Sequence, residues 1–234
     1  MVGIALALCM AQEGPTPVFA IKLNGTVVSP SPESWRPETH WIKVPGGLGV
    51  EFWGQSSGWM IVDHPALALE KQFTISAWLK PYAYVLNGPQ AQIMFRGDDR
   101  PGLDPYSMAI HDDGTIFLRF DSDDNVTTEC KSTTKLPMNQ WSHVVGTFDS
   151  YAHAMKIWVN GKLENTTQTD RHPIGRLEAI DSAGLGVGNV QWDKGPHNQP
   201  YHGVIADLRL YNVALDPEKV GYDPKLWGIQ KVGG

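Results

Sequence analysis

Cysteine is almost absent: the 234 residues hold two, Cys9 and Cys130. Cys9 falls in the one unpunctuated apolar run, residues 1–11, so a chain processed beyond that run has a single thiol and no internal disulfide. The fold must then rest on a packed core, which 41% apolar residues with 9 Trp, 7 Tyr and 7 Phe can supply. Runs of lysine or arginine are also absent, and 19 basic against 25 acidic residues leave a net charge of −6. Such a surface has no electrostatic reason to bind nucleic acid or an anionic membrane, whereas acidic loops suit a hard cation such as calcium. No apolar stretch reaches the roughly 20 residues that span a bilayer.

Residues 1–11 have the length of the apolar segment of a secretory signal, with small Cys9 and Ala11 before Gln12. The basic residues that usually precede such a segment are missing. The reading is a signal peptide and a secreted, extracellular or cell-envelope protein. The alternatives are a first buried strand, or a lipoprotein signal acylated at Cys9, which bulky Leu8 disfavours. Asn24-Gly25-Thr26, Asn125-Val126-Thr127 and Asn165-Thr166-Thr167 fit the glycosylation sequon.

Helical periodicity is missing too. Phe73, Ile75, Ala77 and Leu79 share one face of residues 72–80, and Thr74, Ser76, Trp78 and Lys80 the other. Ala154–Val159 repeats the alternation and runs into Asn160-Gly161, a two-residue hairpin signal. Asp113-Gly114 separates Tyr106–His111 from residues 115–120 in the same manner. Val204, Ala206, Leu208 and Leu210 alternate against Ile205, Asp207, Arg209 and Tyr211. Only residues 216–220 read as a helical turn, and residues 29–39, with Pro30, Pro32 and Pro37, read as an irregular surface loop. Many strands and almost no helix mean a sandwich or a barrel.

Phe73-Thr74-Ile75-Ser76-Ala77-Trp78-Leu79-Lys80-Pro81 resembles the early strand of laminin-G-like, concanavalin A-like jelly-roll domains. The resemblance continues in order through Tyr106-Ser107-Met108-Ala109-Ile110 and Trp141-Ser142-His143-Val144-Val145-Gly146-Thr147-Phe148-Asp149. Met155-Lys156-Ile157-Trp158-Val159-Asn160-Gly161-Lys162 follows, and residues 203–215 close it. It implies an all-β fold, a jelly-roll sandwich of two antiparallel sheets. The expected organisation is a signal peptide over 1–11, an N-terminal strand and loop over 12–46, the jelly-roll domain over 47–221 and a tail over 222–234. Domains of this kind are similar to lectins, pentraxins and the carbohydrate-binding modules of polysaccharide-degrading enzymes. Trp78, Trp141 and Trp158 stand in regular strands and are read as packing residues.

Motifs that spell chemistry are weak here. Gly54-Gln55-Ser56-Ser57-Gly58 matches a nucleophile elbow, but strands flank it on both sides. Gly184-Leu185-Gly186-Val187-Gly188 lies in no βαβ unit and reads as a strand of small residues. Arg96-Gly97-Asp98 spells the integrin tripeptide, a short match that chance often supplies. A glycosidase needs two carboxylates roughly 5 to 9 Å apart, and no strand here carries acids at i, i+2 and i+4. Asp121, Asp123 and Asn125 begin like an EF-hand, yet Val126 takes the glycine position and Ser132 the glutamate position. The resemblance implies a loop calcium. Two aspartates common in the family are replaced by Trp53 and Ala206, leaving Asp98, Asp99 and Asp104 as candidate calcium ligands.

Residues 191–202 combine Trp192 and Tyr201 with Asp193, Asn198 and His202 in a segment that the family uses as a variable rim. An aromatic ring stacks on the C–H face of a sugar while polar side chains meet its hydroxyls. Trp192, Asp193, Asn198, Tyr201 and His202 are therefore candidate ligand residues, with Arg96 and Tyr106 on the opposite wall. The alternative is a loop whose Trp192 folds over the sheet edge. The reading is a secreted, non-catalytic domain that binds a glycan or polysaccharide. The runner-up is adhesion to a cell-surface or matrix protein, and the third reading is a glycoside hydrolase or polysaccharide lyase on the same fold.

Overall fold

The computed structural model describes residues 14–31, 34–35, 40–54, 58–97, 104–175, 177, 184–190 and 198–229; the expected leader lies outside them. Sixteen strands form among the described residues. The first six are β1 (Phe19–Ile21), β2 (Val27–Val28), β3 (Ser34–Trp35), β4 (His40–Val44), β5 (Gly47–Trp53) and β6 (Trp59–Ile61). The middle of the chain gives β7 (Gln72–Pro81), β8 (Gln90–Arg96), β9 (Tyr106–His111), β10 (Thr115–Asp121) and β11 (Thr127–Lys135). The rest are β12 (Ser142–Asp149), β13 (Ala154–Val159), β14 (Lys162–Gln168), β15 (Leu185–Val187) and β16 (His202–Tyr211). Short 3-10 turns at Pro65–Leu67 and Pro217–Lys219 are the helical elements among the described residues.

Two antiparallel sheets result, as expected for the jelly roll. The first runs β14-β13-β12-β7-β16-β1-β2, with β5 also on β16 and β4 on β5; the second runs β11-β10-β9-β8-β15-β6-β3. Alternation decides what lies between them. Phe73, Ile75, Ala77 and Leu79 of β7 meet Met108, Ile110, Leu118 and Phe120 of the second sheet in one core. The Asn160-Gly161 hairpin has φ of 52° and 79°, both left-handed, as a type I′ turn requires. Residues 29–39 depart from the irregular reading, because Ser34–Trp35 pairs with Ile61 and Met60 of β6.

Strand β7 is buried on both faces, not one. The C-terminal segment covers its second face. The Thr74 hydroxyl donates to the Val213 carbonyl at 2.6 Å and accepts from the Leu215 amide at 2.9 Å. Tyr222 donates its hydroxyl to the Asn160 carbonyl at 2.6 Å. Trp227 then stacks on Trp78, with Trp141 edge-on beside it. Trp158 packs on Val145, Tyr211, Leu215 and Val220. The tryptophans read as packing residues are packing residues, and the segment read as a tail forms part of the packed structure as far as Ile229.

Strand β16 changes partner along its length. Residues 202–205 pair with β5 and residues 208–210 with β1. The register shift between them contains Asp207, whose φ of 46° places an aspartate in the left-handed region. Bidentate bonds from Arg209, both at 2.9 Å, hold its carboxylate there.

Candidate functional site

Segment 198–202 carries three of the expected ligand residues, and it crosses from one sheet to the other. Asn198 is buried against the outer side of the second sheet, and His202 begins β16 on the outer face of the first. Tyr201 lies between them in the core, fully buried, its ring 6.3 Å from Phe52. The three side chains face different regions and do not converge.

Arg96 and Tyr106 are paired across β8 and β9, and both are buried. Arg96 Nε donates to Asp63 Oδ1 at 3.2 Å, and the Tyr106 hydroxyl donates to the Leu67 carbonyl at 3.0 Å. They anchor the chain between β6 and β7, and desolvation pushes the Tyr106 phenol well above its usual value. Tyr106 and Tyr201 are thus corrected from ligand residues to core residues, because neither ring has surface to offer. The same burial removes the Arg96 guanidinium from any integrin-type motif.

Asp98, Asp99, Trp192 and Asp193 lie outside the described residues. Asp104 donates its amide to Asp121 Oδ2 at 3.1 Å, while Thr127 donates its hydroxyl to Asp121 Oδ1 at 2.6 Å. Asp121 therefore closes the β10–β11 hairpin and does not open an EF-hand. Among the described residues no group of three or more His, Cys, Asp or Glu side chains comes together as a metal site.

The polar groups that do converge stand on strands. On β10, Ile116, Leu118 and Phe120 enter the core, so Phe117 and Arg119 point the other way. Register places Ser107 and Glu129 opposite Arg119, and His111 opposite Gln90. Arg119 donates to Glu129 Oε2 from Nη2 at 2.7 Å and from Nε at 3.2 Å. Its Nη1 donates to Gln90 Oε1 at 3.4 Å, and its Cζ lies 4.6 Å from the Phe117 ring centroid. His111 stacks on the same ring at 4.2 Å and reaches Glu129 Oε1 through Nε2 at 3.2 Å. Burial alone would raise the Glu129 carboxyl; the hydrogen bonds from His111 and Arg119 and their charges outweigh it and hold it at about 2. Four neighbouring strands thus present a fixed array of amide, imidazole, guanidinium and carboxylate. His111, Arg119 and Glu129 keep 23%, 27% and 26% of their side chains exposed.

Beside this array an amide clasp ties residues 189–190 and 198–199 to Gln92 and Asn87. Gln92, on the same face as Gln90, accepts from the Val190 amide at 3.1 Å. It also donates its own amide to the Gln199 carbonyl at 2.9 Å and its Nε2 to Gln199 Oε1 at 3.3 Å. Asn189 Nδ2 donates to Asn198 Oδ1 at 3.0 Å, and Asn87 Nδ2 donates to the Asn198 carbonyl at 3.1 Å. Asn198 therefore joins Asn189 and Asn87, on the same sheet face as the array.

The sequence pattern of the concanavalin A-like lectin/glucanases superfamily, laminin-G type, matches residues 54–221. The chain belongs to that superfamily. No curated protein matches it in sequence. Among solved structures, it is similar to the CBM40 domain of the Ruminococcus gnavus IT-sialidase bound to α2,3-sialyllactose. That match has 16% identity and a TM-score of 0.59, and covers 74% of this chain and 94% of that one. The binding domain of Paraclostridial Mosquitocidal Protein 1 is 11% identical with a TM-score of 0.66, over 91% of this chain and 55% of that one. The binding domain of botulinum neurotoxin DC, in complex with rat synaptotagmin II, is 16% identical with a TM-score of 0.63, over 92% and 52%. The chain thus spans about half the length of the toxin domains. At these identities the likeness is one of fold. No helix among the described residues is long and apolar enough to cross a membrane.

Proposed function

We propose that the protein is an exported, non-catalytic glycan-binding domain whose sugar site is the outer face of the second sheet, over Gln90, His111, Arg119 and Glu129. The observation that carries this reading is the array itself. Four polar side chains from four adjacent strands hold one another in place and keep an open edge. Sugar hydroxyls need donors and acceptors already positioned, because each buried hydroxyl left unpaired costs affinity. The fixed Arg119–Glu129 pair offers both, and the guanidinium fork also suits the carboxylate of an acidic sugar. The clasp fixes Asn189, Val190 and Asn198, which precede and follow the stretch holding Trp192 and Asp193 in the sequence. Membership of a lectin superfamily and the sialyllactose bound by the R. gnavus domain support the ligand class. Export rests on the apolar run at residues 1–11 and on sequons whose Asn24, Asn125 and Asn165 are exposed.

A glycan array carrying neutral and sialylated oligosaccharides, probed with and without chelator, tests the reading. Specific sugar hits are expected. A blank array overturns the reading and returns the adhesion alternative.

A further inference from the structure

The outer face of the first sheet carries a second cluster, which the array above does not use. Trp53, the last residue of β5, is 59% exposed, whereas Trp59, Trp78, Trp158 and Trp227 are at most 8% exposed. Register puts its neighbours on the same face: Trp53 is opposite His202, Glu51 is opposite both His40 and Val204, and Val204 is opposite Lys80. His40 meets the indole edge-on at 6.3 Å, and His202 lies tilted at 6.3 Å on its other side. Tyr82 stands edge-on to His202 at 5.4 Å and donates its hydroxyl to Glu51 Oε1 at 2.7 Å. Lys80 Nζ sits 5.9 Å from the Tyr82 ring centroid. His202 Nδ1 is shielded from water and has no hydrogen-bond partner, a polar atom whose burial calls for one.

We propose that this cluster is a second sugar platform, which takes a neutral hexopyranose unit. The C–H face of the pyranose stacks on the Trp53 indole. Glu51 accepts from its hydroxyls, while Lys80 and the two histidines supply the complementary groups. One carboxylate and one ammonium flank the ring and offset each other, which selects an uncharged saccharide. A protein partner would be met by an apolar surround; here His40, His202, Glu51, Tyr82 and Lys80 bring polar heads to the face that carries the indole. The proposal shares only its ligand class with the reading above and uses none of the same residues. Two platforms on opposite faces of one sandwich would let a single chain join two segments of a polysaccharide.

Arrays of neutral and sialylated oligosaccharides probed with Trp53→Ala, Trp53→Phe and Arg119→Ala separate the two sites, with far-UV and thermal melts as folding controls. Trp53→Ala is expected to lose at least tenfold in apparent affinity for a neutral subset that Arg119→Ala retains, and Trp53→Phe to lose less. If Trp53→Ala keeps every hit while Arg119→Ala loses hits, the second platform is refuted and the first stands. If Trp53→Ala loses its subset and Arg119→Ala loses nothing, the first falls and the second stands.

Discussion

Trp227 lies flat on Trp78, with ring centroids 4.4 Å apart and planes 10° from parallel. This contact closes the C-terminal segment over the outer face of β7, β12 and β16, six residues past the end of the superfamily match. Trp227→Ala is predicted to destabilise the fold by about 3 kcal/mol, the usual scale for truncating a buried aromatic. Urea unfolding measures it. A midpoint equal to that of the wild type would show that the segment is an appendage.

Beneath that segment His143 packs against both Trp78 and Tyr222, at 4.9 Å and 5.1 Å between ring centroids. Burial, reinforced by the charge of Arg209, pushes its imidazole down to about 3. The unfolded chain protonates this histidine near 6.5, so between pH 6.5 and about 3 the unfolded state holds more protons. The stabilisation is complete above the higher value and lost as pH falls through this window, roughly 3 kcal/mol by pH 4.5. The depressed Glu129 carboxyl acts in the same direction, from about 4.5 downward. His143→Phe keeps the ring and removes the titration, so its stability should change less between pH 6.5 and 4.5. An unaltered pH slope would contradict this.

Tyr106 gives the opposite kind of test. Tyr106→Phe removes the bond to the Leu67 carbonyl inside the core and should cost about 1–2 kcal/mol. Its glycan hits should match the wild type. Lost hits with an unchanged melt would return Tyr106 to a binding role.

Two expectations rest wholly or partly on residues outside the described ones. Calcium held by Asp98, Asp99 and Asp104 predicts a melting temperature raised by several degrees in millimolar calcium, and an unshifted melt with flat calorimetry rejects it. Trp192→Ala predicts lost glycan hits with an intact far-UV spectrum, and retained hits remove that residue from the site.

Hairpin signals such as Asn160-Gly161 made the strands legible in the sequence, because each fixes register through local backbone geometry. Alternation likewise gave the core face of β7. Its second burial was not legible, since the cover is Trp227, some 150 positions away and in no regular element. The loop 198–202 misled for a related reason: consecutive residues of a segment crossing between sheets point to different faces. Arg119 had a signal, as a cation at an outward position between the core residues Leu118 and Phe120. Its partner Glu129 depended on the register across the Asp121–Asn125 turn, which sequence alone left open.

The account stands most directly on Arg119. A titration calorimetry comparison of wild type, Arg119→Lys and Arg119→Ala against the strongest array hit that Trp53→Ala retains decides it. The account predicts at least a tenfold weaker Kd for Arg119→Ala, and substantial loss for Arg119→Lys, which keeps the charge but not the fork. Equal affinities for all three proteins, each with an unchanged melt, would contradict it.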